Sequence, residues 1–204
     1  RVGNIRRMAT QFSMLQIINA ALSEQGEYTV NGEDASNEWL VLSRNWPLIV
    51  EAELEDGAYN FTRRQVQLET RTDGKYGYDD AYAVPLDVLH VRRLWTEDEG
   101  GVRSFPDWTQ DGSNVYVNDP NGCFVEVVEV PGVDLWSANF ARGIQLRLEA
   151  VILRSLKSEP NQAADMDARA EMHFDRARVK SSKSRSATEP YREGRLHSAR
   201  FRRG

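Results

Sequence analysis

The chain has 204 residues, 40% of them hydrophobic and 28% charged, with five Trp, seven Tyr and seven Phe. That is too apolar and aromatic for a disordered chain and long enough for one sizeable core. The net charge of −5 hides a split: residues 1–168 carry 15 basic and 27 acidic side chains, and residues 169–204 carry 11 basic and 4 acidic ones, which suggests a basic interaction tail on an acidic body. The single cysteine, Cys123, excludes an intrachain disulfide and a Cys-rich zinc site, and no apolar run approaches the roughly 20 residues that span a bilayer.

The spacing of Phe12, Leu15, Ile18 and Leu22 predicts a helix over 9–25, stopped by Gly26. Arg6 and Arg7 before this stretch resemble a leader, but Gln11, Ser13, Gln16 and Asn19 interrupt the apolar run, so no signal peptide is expected. A polar loop follows over 26–34. A second helix is expected over 35–54, capped by Asp34 or Ser36 and burying Trp39, Leu42, Trp46, Ile49 and Val50. Pro47 lies inside it and predicts a break or kink near Asn45. Gly57 ends the unit.

From 62 to 132 the period shortens. Val66, Leu68 and Thr70 alternate with polar residues, strand-like runs follow at 81–84, 88–95, 115–117 and 124–130, and turn signals stand at 100–101, 111–112 and 118–122. The expectation is a small antiparallel sheet of three to five strands. Helical periodicity returns near 134, with Asp134 as N-cap and Phe140, Ile144, Leu148, Val151 and Ile152 on one face. Leu146, Ala150 and Leu153 form a second apolar face. Pro160 opens a last helix, expected over 161–184 and carrying Ala164, Met166, Ala168, Met172, Phe174 and Ala177. Residues 185–204 show no apolar period.

This order gives a mainly α fold: a helical bundle of about four helices interrupted by a small antiparallel β insertion, with an extended C-terminal arm. The helical unit covers 1–184, with the insertion at about 62–132. The arm covers 185–204.

Catalytic signatures are absent. His90, His173 and His197 lie in no metal-binding spacing, and neither a nucleophile elbow nor a phosphate-binding glycine loop occurs, so no enzyme activity, metal or cofactor is expected. Cys123 reads as a small buried strand residue. The acid runs at 51–56, 79–80 and 97–99 are expected to be solvated faces, or the lining of a channel that repels DNA. The arm interleaves Tyr191, Leu196 and Phe201 with arginines. Such a segment fits either phosphate contacts, as in a nucleic-acid-binding protein, or a protein interface.

A family resemblance bears on that choice. Ala20-Ala21-Leu22-Ser23-Glu24-Gln25-Gly26 closes the first helix, and Ala58-Tyr59-Asn60-Phe61-Thr62-Arg63-Arg64 follows the second. Phe61, Arg63, Arg64, Tyr82, Pro85, Asp87, Leu89 and Val91 then stand in the order of a W-x-F-x-x-x-R segment followed by a Y-x-Y-x-L-P-x-D-C-L-R-V strand region. Leu146, Leu148, Ala150 and Leu156 are similar to a Leu/Ala-rich third helix, and Ser198-Ala199-Arg200 to a closing S-x-x-x-A-R pattern. Over about 9–200 the chain resembles the head-to-tail adaptor (connector) proteins of tailed bacteriophages, the group that includes podovirus tail tubular protein A. It departs from them at Val88, where the family has a small residue or Cys, and in a longer, more acidic loop at 96–113.

The resemblance implies a structural protein of the virion, at the head–tail junction after assembly in the host cytoplasm. It implies a ring, of twelve copies, docked beneath the portal protein, with DNA passing non-specifically through the lumen and tail or stopper/nozzle proteins attached below. The family engages the portal through C-terminal segments. That makes Tyr191, Arg192, Arg195, Leu196, Arg200, Phe201, Arg202 and Arg203 the expected portal-binding residues.

Overall fold

A computed structural model describes residues 12–32, 35–97 and 100–183. Helices α1 (Met14–Glu24) and α2 (Asn37–Asp56) lead into eight strands. These are β1 (Arg63–Leu68), β2 (Arg71–Asp73), β3 (Asp80–Ala83), β4 (Val88–Glu97), β5 (Arg103–Ser104), β6 (Trp108–Asp111), β7 (Asn114–Val117) and β8 (Cys123–Glu129). Helices α3 (Ala138–Ser155) and α4 (Pro160–Lys183) complete the order.

The expected mainly α bundle with a small β insertion is wrong. Helix accounts for 47% of the described residues and strand for 24%, and the strands build two antiparallel sheets, one of them a curled half-barrel. Their orders are β1-β8-β4-β5 and β2-β3-β7-β6. The two sheets share one apolar core, with Leu68, Val91, Leu94, Val125 and Val127 from the first and Tyr82, Val84, Val115 and Val117 from the second. This is a core in its own right, which is why the β unit needs more strands than a single sheet would supply.

A second core joins the helices. α3 packs against α1, α2 and α4 and is buried on two faces, through Phe140, Ile144 and Leu148 on one and Leu146, Ala150 and Leu153 on the other. Aromatic contacts tie it to α2: Trp46 stacks on Trp136 at 5.6 Å, and Trp136 meets Phe140 edge-on at 4.8 Å. The β unit docks onto this core through Phe61 and Leu89, both half-buried against it.

Several local expectations change. Ser13 caps α1 in a reciprocal capping box with Gln16. Ser36 rather than Asp34 caps α2, its Oγ accepting from the Trp39 N–H at 3.2 Å. The break near Asn45 does not occur: α2 runs unbroken through Pro47. Pro47 faces solvent, where water can hydrate the carbonyl left without its N–H, while Leu42, Val50 and Leu54 hold the helix to the core on the other side. Ser137, not Asp134, caps α3, because a 3-10 turn at Val133–Leu135 delays its start. On α4 the inward stripe is Ala163, Ala170, Phe174, Ala177 and Ser181, whereas Ala164, Ala168 and Met172 face outward.

Candidate functional site

The expected portal-binding residues, Tyr191, Arg192, Arg195, Leu196, Arg200, Phe201, Arg202 and Arg203, lie outside the described residues, as does His197. The described residues do contain the root of that arm and the groove beside it.

The chain leaves α2 through a tight neck. A side chain at Gly57 would overlap the Tyr59 ring, so glycine is required there for space rather than for its φ of −89°. The Tyr59 ring is fully buried against Phe61 and Phe140. Its hydroxyl donates to Glu53 Oε1, and its carbonyl accepts from Thr62 Oγ1 at 2.7 Å.

From the opposite side, α4 presents Arg178. Its guanidinium donates to the same Glu53 oxygen at 2.7 Å and to Asp175 at 2.9 Å. One turn later the neck takes hold of α4 again: Asn60 Nδ2 donates to the Ser181 carbonyl at 2.5 Å, and the Asn60 N–H to Ser181 Oγ at 3.4 Å. The root of the arm and the root of the β unit are therefore fastened at one place.

Burial raises the Glu53 carboxyl above its ordinary value, opposed by the bonds from Tyr59 and Arg178. Burial, reinforced by Glu53, also pushes the Tyr59 phenol up. Tyr59 thus remains a neutral donor, and its burial keeps it away from any substrate. The trio works as a clamp: one buried carboxylate neutralised by a cation from another helix and a phenol from the neck.

Beyond the clamp, α3 and α4 are laced by ion pairs. Arg147 meets Asp167 at 2.7 Å and also pairs with Glu171, and Arg154 pairs with Asp167. On the α1 side, buried Glu149 accepts from Gln145 at 3.1 Å and Gln25 at 3.3 Å, with Arg142 at 3.6 Å. Lys157 pairs with Glu27 at 3.3 Å.

The acid runs are not uniformly solvated. Glu51, Glu55, Asp56 and Asp79 are exposed as expected, but Glu53 and Asp80 are buried. Asp80 Oδ1 accepts no well-angled hydrogen bond and is neutralised instead by the Arg71 guanidinium of the neighbouring strand as an ion pair. Sequence reasoning missed both residues. For Glu53 the signal was available: 42, 46, 49, 50, 53 and 54 form one helical stripe, so the acid run had to turn one member inward.

Cys123 is buried in β8, and burial pushes its thiol up to about 12. His90 lies half-buried in β4, and His173 Nδ1 stands 3.4 Å from Asn139 Oδ1. Among the described residues no cluster of His, Cys, Asp or Glu could hold a metal ion, and no helix is long and apolar enough to cross a membrane. Comparison with known protein families and with curated proteins finds no match for the chain.

Proposed function

We propose that the chain is a head-to-tail connector of a tailed phage or phage-like particle. It forms a ring beneath the portal through which DNA passes and onto which tail proteins attach. A connector must bind one partner above and another below through a single rigid subunit. The observation that carries this reading is the shared root. The Asn60–Ser181 and Glu53–Arg178 contacts fix the chain entering the β unit and the last turns of α4, which precede the arm in sequence, to the same helical frame. Two binding modules held this way transmit position from one partner to the other.

The charge distribution supports the same assignment. The acidic body suits a surface that lets DNA pass without holding it, and the arm supplies Arg192, Arg195, Arg200, Arg202 and Arg203 with Tyr191, Leu196 and Phe201 between them for the portal. The competing reading is nucleic-acid binding through the arm.

A deletion separates them. Removing 185–204 is expected to leave a folded protein that no longer joins portal rings in co-sedimentation. A deleted chain that still joined them would remove the arm from the interface. A gel shift of duplex DNA by the full chain, steeply weakened by salt, would favour the nucleic-acid reading instead.

A further inference from the structure

On either side of the open groove that separates α2 from α4, each helix turns a ridge to solvent. On α2 the ridge runs through Leu40, Arg44, Leu48, Glu51 and Glu55, all exposed. Steps of three and four residues keep them on one side of the helix, opposite the buried Leu42 and Glu53. On α4 the ridge runs through Met172, Arg176, Val179 and Lys183, with Arg169 and Lys180 beside it, opposite the buried Ala170, Phe174 and Ala177. Each ridge therefore carries two large apolar side chains in the open: Leu48 is 69% exposed, Met172 52% and Val179 51%.

The charges are sorted by helix. Glu51 and Glu55 form no ion pair with another described residue, and neither do Arg169, Arg176, Lys180 and Lys183. Glu53, Asp175 and Arg178, beside them, are paired with one another. α2 and α4 of one chain approach each other through Glu53 and Arg178, not through the ridges. An acidic ridge and a basic ridge that do not meet within a chain can meet between two copies of it.

Spacing and direction fit such a contact. Leu40 to Leu48 rises about 12 Å and Met172 to Val179 about 10.5 Å, so the two apolar pairs can lie side by side. Glu51 stands eleven residues after Leu40, and Lys183 eleven after Met172, so the same register sets opposite charges together when the helices run the same way. The reverse direction would set Glu55 near Asp165, like against like. Within the chain α2 and α4 both run toward the neck, where Glu53 meets Arg178. A ring whose axis lies along the helices keeps that direction from copy to copy and joins two different faces of the subunit.

We propose that copies of this chain associate by laying the α2 ridge of one along the α4 ridge of the next, with Leu40 and Leu48 against Met172 and Val179, and Glu51 and Glu55 against Lys180 and Lys183. The inference deepens the connector reading and rests on it for the ring of like subunits.

Disulfide trapping between full chains tests it. Cys123 is fully buried and does not compete. Chains carrying Leu48→Cys are mixed with chains carrying Val179→Cys and oxidised mildly. The mixed dimer is expected to form about tenfold faster than either self-paired dimer. Glu51→Lys with Glu55→Lys on the first chain should bring it down to the self-paired rate, and Lys180→Glu with Lys183→Glu added on the second chain should restore it. Equal rates for mixed and self-paired dimers, or a mixed dimer indifferent to the charge reversals, would overturn the proposal. If such a chain still joins portal rings, the connector reading stands and only this contact is lost. A selective mixed dimer from a chain that does not join them would do the reverse.

Discussion

Arg178 of α4 and Tyr59 of the neck both donate to one oxygen of Glu53 on α2, so a single buried carboxylate joins three separate parts of the chain. The relationship explains why an acid in the middle of an acidic run is turned inward. It also makes the clamp testable as a unit.

Arg178→Met leaves Glu53 buried with only the phenol as partner. A loss of about 2–3 kcal/mol is expected, less than for a fully buried pair because Arg178 is partly exposed. Glu53→Gln in the same background removes the uncompensated charge. The double variant should therefore be more stable than Arg178→Met alone, a coupling that urea denaturation of the four proteins in the cycle measures.

Gly143 of α3 lies directly against the Phe174 ring of α4. A Cβ there would overlap the Phe174 ring. Gly143→Ala should cost about 1–3 kcal/mol through overpacking, despite alanine's better helix propensity. Combined with Phe174→Leu, the losses should be less than additive, which thermal unfolding can check.

Glu149 gives a pH signature. Burial raises its carboxyl above the ordinary 4.5, against the pull of Arg142 and Gln25. Folding therefore takes up protons in the interval between 4.5 and the raised value, and stability falls as pH rises through that interval. The cost is absent below the interval and fully present above it. Glu149→Gln keeps the shape and removes the titration. Its denaturation midpoint relative to the native chain should rise with pH across the interval and then level off.

Cys123 should react with thiol reagents only on unfolding, since the thiol is buried in β8 and held far above neutral pH. Labelling rates followed across a denaturant series should track the unfolded fraction.

The helices were legible because their apolar period is strong. Phe140, Ile144 and Leu148 announce the α3 stripe without any tertiary information. The β unit was legible only in part. β2 and β5 are short, polar and exposed, and β6 is only four residues with Trp108 as its one apolar side chain, so little in their composition marks them as strands. They exist because β3, β4 and β7 offer them an edge. β1 pairs with β8 across some sixty residues of sequence, from Arg63↔Val128 to Leu68↔Cys123, and no local pattern encodes that pairing.

Pro47 does not break α2 for a related reason. Its local cost is real, but the packing of Leu42, Val50 and the Trp46–Trp136 stack outweighs it. The arm's charge and aromatic spacing belong to the sequence alone, since residues 185–204 lie outside the described residues. The clamp at its root depends on bringing residues 53, 59 and 178 together, which only the fold does.

Cryo-electron microscopy of particles carrying the full chain tests the connector assignment most directly. The expected result is a twelvefold ring of this chain directly beneath the portal, with residues 185–204 as ordered density against portal subunits. A density of single copies away from the head–tail junction would contradict it.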